Sequence, residues 1–151
     1  MTNKILTNIE AGNSRFLCLD FGLKRIGVAI SDPTATIASG LPTIINKGWI
    51  TTIDQIVNLV NQFGVTRIIV GKPLNMDGSP SKLCNDVDRF VTRLKTKVSL
   101  PIVLWDERMS SLAAERTLKQ ANQSPSRKKK EVDKIAAVFI LQSYLDRLAN
   151  Q

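Results

Sequence analysis

The chain contains no histidine. That absence removes Ser-His-Asp and Cys-His nucleophilic machinery, imidazole-based ribonuclease chemistry and the common histidine-rich zinc sites. Any hydrolysis falls to carboxylates, lysine, or a metal held by oxygen ligands, and hard oxygen donors select Mg2+ or Mn2+ over zinc. Cysteine is scarce. Cys18 and Cys84 both sit among apolar neighbours and read as reduced core thiols rather than a disulfide or a metal pair. Long apolar runs are missing as well. The longest, Ile135 to Leu141, lies within a helical pattern and falls far short of the ~20 residues that cross a bilayer. Met1 to Glu10 is mixed and polar, without the apolar stretch of a signal peptide. The expectation is a soluble, cytoplasmic protein with no membrane partner. Negative charge is in deficit: 21 Lys and Arg face 13 Asp and Glu, a net charge of +8. A surface this basic favours a polyanionic partner, nucleic acid first.

What is present is most informative between Leu17 and Asp32, L-C-L-D-F-G-L-K-R-I-G-V-A-I-S-D. Two short β-rich runs flank a Gly-containing turn, the pattern of a hairpin. The first run ends on Asp20, a carboxylate among apolar neighbours, which is costly to bury without a partner. Asp20 is either a strand-end turn residue or a metal- or phosphate-site residue.

With 151 residues the chain can build one domain with a real core. Residues 1–14 show no sustained period and read as a flexible tail, leaving 15–149 as a single domain. Strands are expected at Arg15 to Leu19, Arg25 to Ile30, and Thr36 to Ile45, the last interrupted or ended near Pro42. Apolar residues at three- and four-residue steps predict a helix from Ile50 to Phe63, stopped by Gly64. Arg67 to Val70 has the β-branched character of a buried strand. Gly71 to Ser81 is turn-rich, and a helix with Cys84, Val87, Phe90, Val91 and Leu94 on one side follows. Ile102 to Trp105 reads as a further buried strand running into Asp106-Glu107-Arg108. A helix capped by Ser110 or Ser111 should reach about Gln120. After a polar break and the four cations Arg127, Lys128, Lys129 and Lys130, the last helix should begin near Glu131. A meander followed by strands alternating with helices predicts an α/β fold, a mixed sheet flanked by helices, with the Arg67 and Ile102 strands parallel neighbours or nearly so.

Three acidic positions combine a strand end or an apolar helix face with a path to a common point: Asp20, the Asp106-Glu107 pair, and Asp133 near the start of the last helix. Ligand sites in α/β sheets lie at the carboxyl ends of strands. Side chains alternate along a strand, so Asp106 and Glu107 should not both face one site, and spacing does not choose between them. Each has an ordinary alternative. Asp106 or Glu107 can cap the following helix or pair with Arg108, and Asp133 can favour a helix N-terminus. Taken together with the missing histidine and the basic surface, they fit metal-dependent phosphodiester cleavage, in which two Mg2+ ions ~3.5–4 Å apart could act.

These residues carry a resemblance that spans roughly Arg15 to Asp146. Four blocks occur in order: L-D-F-G-L-K-R-I-G-V-A-I-S-D (Leu19 to Asp32), I-V-G-K-P-L-N-M-D-G-S (Ile69 to Ser79), L-W-D-E-R-M-S-S (Leu104 to Ser111) and K-K-E-V-D-K-I-A-A-V-F-I-L-Q-S-Y-L-D (Lys129 to Asp146). The chain resembles the YqgF/RuvX family of bacterial proteins with a ribonuclease H-like fold, relatives of Holliday junction resolvases linked to maturation of the 16S rRNA 5′ end. The resemblance implies catalytic, metal-binding carboxylates at Asp20, at Glu107 rather than Asp106, and at Asp133. It places the loop Lys72 to Ser79, with Asn75, beside the site, where it could meet substrate. Lys24, Arg25, Lys72 and Arg108 join the block Arg127 to Lys130 as candidate nucleic-acid contacts. Leu23 stands where many members have threonine, and the positions three residues from Asp133 are Lys130 and Ala136 instead of a fourth carboxylate, so one or two ions are expected.

The implied function is a metal-dependent nuclease processing the 5′ end of pre-16S rRNA. A Holliday junction resolvase, acting on DNA as a symmetric dimer, is the alternative, and monomer and homodimer both stay open. A non-catalytic RNA-binding assembly factor that keeps the acidic site by descent is a further alternative. The same hairpin opens the actin-like and sugar-kinase fold, but those enzymes need a second domain of comparable size.

Overall fold

A computed structural model describes residues 14–110 and 125–151, with side chains in the last helix described from Lys134 onward. The elements are β1 (Arg15–Asp20), β2 (Arg25–Ser31), β3 (Ala38–Ile45), α1 (Trp49–Phe63), β4 (Val65–Lys72), α2 (Cys84–Lys95), β5 (Ile102–Asp106) and α3 (Pro125–Ala149). The strands form one sheet in the order β3-β2-β1-β4-β5. β1 pairs antiparallel with β2, and β2 with β3; β1 and β4, and β4 and β5, are parallel. The β1–β2 hairpin turns at Gly22, where a Cβ would collide with the Arg25 carbonyl oxygen, so only glycine closes it.

Alternation along β1 sorts its side chains between two layers. Leu17 and Leu19 pack with Ile53 and Ile56 of α1 and with Val87, Phe90 and Leu94 of α2. Phe16 and Cys18 face the other way, against Ala136, Ala137, Ile140, Leu141 and Tyr144 of α3. The sheet is thus sandwiched between α1/α2 and α3. Each fully buried aliphatic side chain contributes ~1.5–3 kcal/mol. The small Ala136 and Ala137, both wholly buried, let α3 lie close on the sheet. Polar ties fix its position: the Trp105 indole N–H donates to Ser143 Oγ (2.9 Å), Arg67 donates to the Tyr144 hydroxyl (2.7 Å), and Gln142 Oε1 accepts from the Ala38 N–H (2.9 Å).

Several boundaries differ from the sequence expectation for identifiable reasons. β3 runs through Pro42 instead of stopping there, because β3 is an edge strand and its register against β2 slips between Ile26 and Val28; an edge or a bulge needs no proline N–H. β4 is longer than Arg67 to Val70, since parallel pairing with β1 and β5 recruits Val65, Gly71 and Lys72. β5 is a half-buried edge strand rather than a buried one, with Leu104 38% exposed. α3 starts at Pro125, six residues before Glu131; proline suits a first helical position because its missing N–H would be unpaired there. Ser14 belongs to the fold rather than to the tail: it is buried and its hydroxyl bonds Thr66 Oγ1 at 3.0 Å. The expected helix from Ser110 or Ser111 to Gln120 lies outside the described residues, as does the tail before Ser14. Ser110 itself closes a short 3-10 turn, Glu107–Met109, by donating to the Glu107 carbonyl (2.9 Å). Both cysteines are buried and free.

Candidate functional site

The carboxyl ends of the three parallel strands form one shelf. The register aligns Leu19 with Val70, Gly71 with Trp105, and Lys72 with Asp106, so Asp20, Lys72, Asp106 and Glu107 all stand at the same edge. Asp20 ends β1 on the α3 side of the sheet, the side of Cys18, and is 8% exposed. Glu107 follows β5 in the 3-10 turn and leans over Gly71. A Cβ on Gly71 would stand 2.8 Å from Glu107 Oε1 and 3.0 Å from Ile140 Cδ1. Gly71 therefore leaves the space that Glu107 fills, against the same helix that covers Cys18. Burial pushes the Cys18 thiol well above its usual range, and the charges on Asp20 and Glu107 push it further. The charges of Asp20, at the end of β1, and of Glu107, just past β5, are thus both felt at the same buried thiol.

Asp106 turns elsewhere, as strand alternation requires. It accepts from the Arg108 backbone N–H (2.9 Å) and pairs with the Arg108 guanidinium, Nη2 to Oδ2 at 2.7 Å. The Arg108 side chain holds the Asp106 carboxyl below its usual range, first through hydrogen bonding. Arg108 also donates to the Met76 carbonyl oxygen (3.3 Å), which ties the shelf to the loop after β4. That loop is a miniature hairpin. Asn75 and Ser79 bond through the Asn75 N–H (2.8 Å), the Asn75 side-chain amide donates to Ser79 Oγ (3.0 Å), and Gly78 supplies a positive φ of 89°. The side chains of Asn75 and Arg108, expected to meet substrate, are thus engaged in holding the loop's shape. Lys24 is exposed on the hairpin turn, Arg25 opens β2, and Lys72 is half-buried on the shelf near Asp106.

The backbone of Asp133 lies in α3, three and four residues before Ala136 and Ala137. The side chains of Asp133, Arg127, Lys128, Lys129 and Lys130 lie outside the described residues, and so do their contacts. Among the described residues no group of three or more acidic, cysteine or histidine side chains gathers into a metal cluster. The oxygen donors of Asp20 and Glu107, with a buried protonated thiol beneath them, fit a hard divalent cation better than a soft one.

Sequence reasoning missed the role of Gly71, although its position directly after the buried run of β4 was a signal for close approach. It also missed a cavity beside the hairpin turn lined by Phe21, Trp49 and Arg93. The available signal was a tryptophan in the first turn of α1, where an apolar side chain has no need to be exposed.

The sequence pattern described as RuvX, Holliday junction resolvase, matches residues 14–147. The chain belongs to the RuvX family. A RuvX relative from Thermoanaerobacter pseudethanolicus is 45% identical over 138 residues, covering 91% of this chain and 99% of its own. One from Syntrophus aciditrophicus is 39% identical over 137 residues, covering 91% of each. Both bear the name "Putative pre-16S rRNA nuclease". Among solved structures, Thermus thermophilus RuvC in complex with a Holliday junction superposes with a TM-score of 0.58 at 10% identity, covering 90% of this chain and 96% of RuvC. Fowlpox virus resolvase with junction DNA gives 0.51 at 13% identity, covering 89% and 98%. At such identities the likeness is one of fold: this RuvX chain has the mixed, helix-flanked sheet of the ribonuclease H-like resolvases. Among its described residues no helix is long and apolar enough to cross a membrane.

Proposed function

We propose that this chain is a metal-dependent nuclease that hydrolyses phosphodiester bonds in the precursor of 16S rRNA. The observation that carries the reading is that Asp20, at the end of β1, and Glu107, in the turn after β5, stand at the same edge of the sheet and both raise the buried Cys18 thiol by their charge, with Glu107 leaning over Gly71 beside Ile140. The RNA substrate rests on the names of relatives up to 45% identical over nearly the whole chain. With Asp133, these two carboxylates would hold Mg2+ or Mn2+. Such an ion, when bound, supplies Lewis acidity and lowers the pKa of water toward neutrality, which a chain without histidine needs.

The protein's own residues prepare that chemistry. Asp20 is fixed by β1, in the middle of the sheet, so its orientation is set before substrate arrives. Glu107 is packed between Gly71 and α3, which restricts its rotamers. Wholly buried Cys18 and Ile140 exclude water from the sheet side, leaving solvent and substrate to enter from the shelf's open edge. Lys72 and the lysines and arginines of the surface would neutralise phosphates.

A second reading, cleavage of four-way DNA junctions, is favoured by the family's description and by the fold shared with junction-bound RuvC. Purified protein with Mg2+ or Mn2+ should cut a 16S precursor transcript carrying its 5′ extension. Cutting of junction DNA alone would select the resolvase. Binding of either without cutting, under all metal conditions, would overturn the nuclease reading in favour of an assembly factor.

A further inference from the structure

Beside the carboxylate shelf, on the α1/α2 side of the sheet, is a cavity of about 200 Å³ lined by Phe21, Leu23, Trp49, Asp86, Arg89 and Arg93. Its composition is unlike a hydrophobic dent. Phe21 is tilted against Phe90 with ring centroids 4.9 Å apart, forming an aromatic floor. Trp49 is 42% exposed, and the Arg93 guanidinium lies over its ring, 4.8 Å from the centroid. Arg89 and Arg93 are solvent-exposed cations on successive turns of α2. Asp86 adds a carboxylate on the same helix.

We infer that this cavity binds an unpaired nucleotide of the polynucleotide strand lying across the shelf, an inference that rests on the nuclease reading. Phe21 offers aromatic surface, and Trp49 a stacking plane once the exposed Arg93 side chain swings from its ring to a phosphate; such stacking serves any base because every base has a π-face. Arg89 and Arg93 suit the phosphate. Asp86 accepts from ring or exocyclic N–H groups at a base edge and disfavours a bare anion, so the group recognised is a ring joined to a phosphate. Continuity with the shelf comes from the chain itself. Phe21 directly follows Asp20, and consecutive residues at a strand end direct their side chains to opposite sides of the sheet. A strand held at Asp20 can therefore drop a neighbouring base over the sheet's end into the cavity. A base inside a duplex cannot do so without unpairing. The substrate at this point is single-stranded or frayed.

The chain's two tryptophans, Trp49 and Trp105, make the test direct, because Trp105 lies in the α3 layer, donating to Ser143. In the 15N-labelled full chain, two indole N–H signals should appear, assigned with Trp49→Phe. Titration with 5′-AMP, GMP, CMP or UMP should shift the Trp49 signal saturably and leave Trp105 in place, while inorganic phosphate should move neither. Trp49→Ala should weaken binding of a single-stranded oligonucleotide by about 5- to 150-fold, and Trp49→Phe should restore most of it. In cleavage of that strand, the Trp49→Ala loss should fall more on KM than on kcat. Equal shifts of both indoles, no shift with any nucleotide, or a shift reproduced by phosphate alone would overturn the inference. So would an unchanged KM, which would mark a site for free nucleotides only. Cleavage with a silent Trp49 removes this inference and leaves the nuclease standing. A Trp49-selective shift in a protein that never cuts removes the nuclease and leaves the nucleotide site.

Discussion

Asp106 pairs with Arg108 and accepts from its backbone N–H, whereas Glu107 folds over Gly71 toward the side of Cys18 and α3. Chemistry should follow that division. Glu107→Gln should reduce kcat on a cleavable strand by at least about a hundredfold, because even outer residues around a metal are worth 10–100-fold. Asp106→Asn should cost less than about tenfold, as it loosens only a solvent-screened ion pair and the Met76 tether. The reverse ranking in a single-turnover assay would refute the assignment. Asp32 plays a structural part at the same scale. Its carboxylate accepts from the N–H groups of Thr36 and Ile37 (2.8 Å each) and from Thr34, and these bonds, that from Ile37 foremost, hold it far below the usual carboxylate range. A carboxyl that ionises more readily folded than unfolded adds stability that is complete above the unfolded value of about 3.9 and is lost as pH falls through the folded one. Denaturant titrations from pH 6 to about pH 2 should show Asp32→Asn less stable than the parent at pH 6 and the gap closing with acid; a gap independent of pH would contradict the linkage.

At the scale of elements, the helix-forming periodicity and the hairpin were legible because their patterns are local. The five apolar positions named for the Cys84 helix are all buried in α2, and Gly64 ends α1 in the left-handed region at φ 62°. Edges were not legible. Whether β3 tolerates Pro42, and whether β5 is covered, depends on which strand lies beside it, and sheet order is a non-local property. The site was half legible for the same reason. Asp20 and the Asp106-Glu107 pair announce themselves at strand ends, but spacing does not choose within the pair, and the space at Gly71 that lets Glu107 lean inward lies thirty-six residues away. α3 carries Arg127, Lys128, Lys129 and Lys130 within its first two turns instead of in a linker before it. If these cations dock the strand, neutralising all four should flatten the slope of log affinity against log salt by roughly two to three units, at about 0.7 per phosphate contact for single strands. Affinity should fall about equally across sequences, since phosphates carry no base information. An unchanged slope in a fluorescence-anisotropy titration would move the docking surface elsewhere.

For the whole molecule, a ribonuclease H-like sheet, membership of the RuvX family, a charge of +8 and carboxylates at the strand ends together predict that binding and cutting are separable tasks. On the proposed function, the basic surface would attract the strand and the acidic strand ends would act on a phosphate. Asp20 is buried at the central strand's end, so on the proposed function its substitution should separate the two tasks most cleanly. The most direct measurement compares the parent and Asp20→Asn on a 16S precursor transcript with Mg2+ or Mn2+, reading cleavage and binding on the same RNA. In the variant, cleavage should disappear while Kd stays within a few-fold of the parent, as the nuclease reading requires. Full cleavage by Asp20→Asn would contradict it.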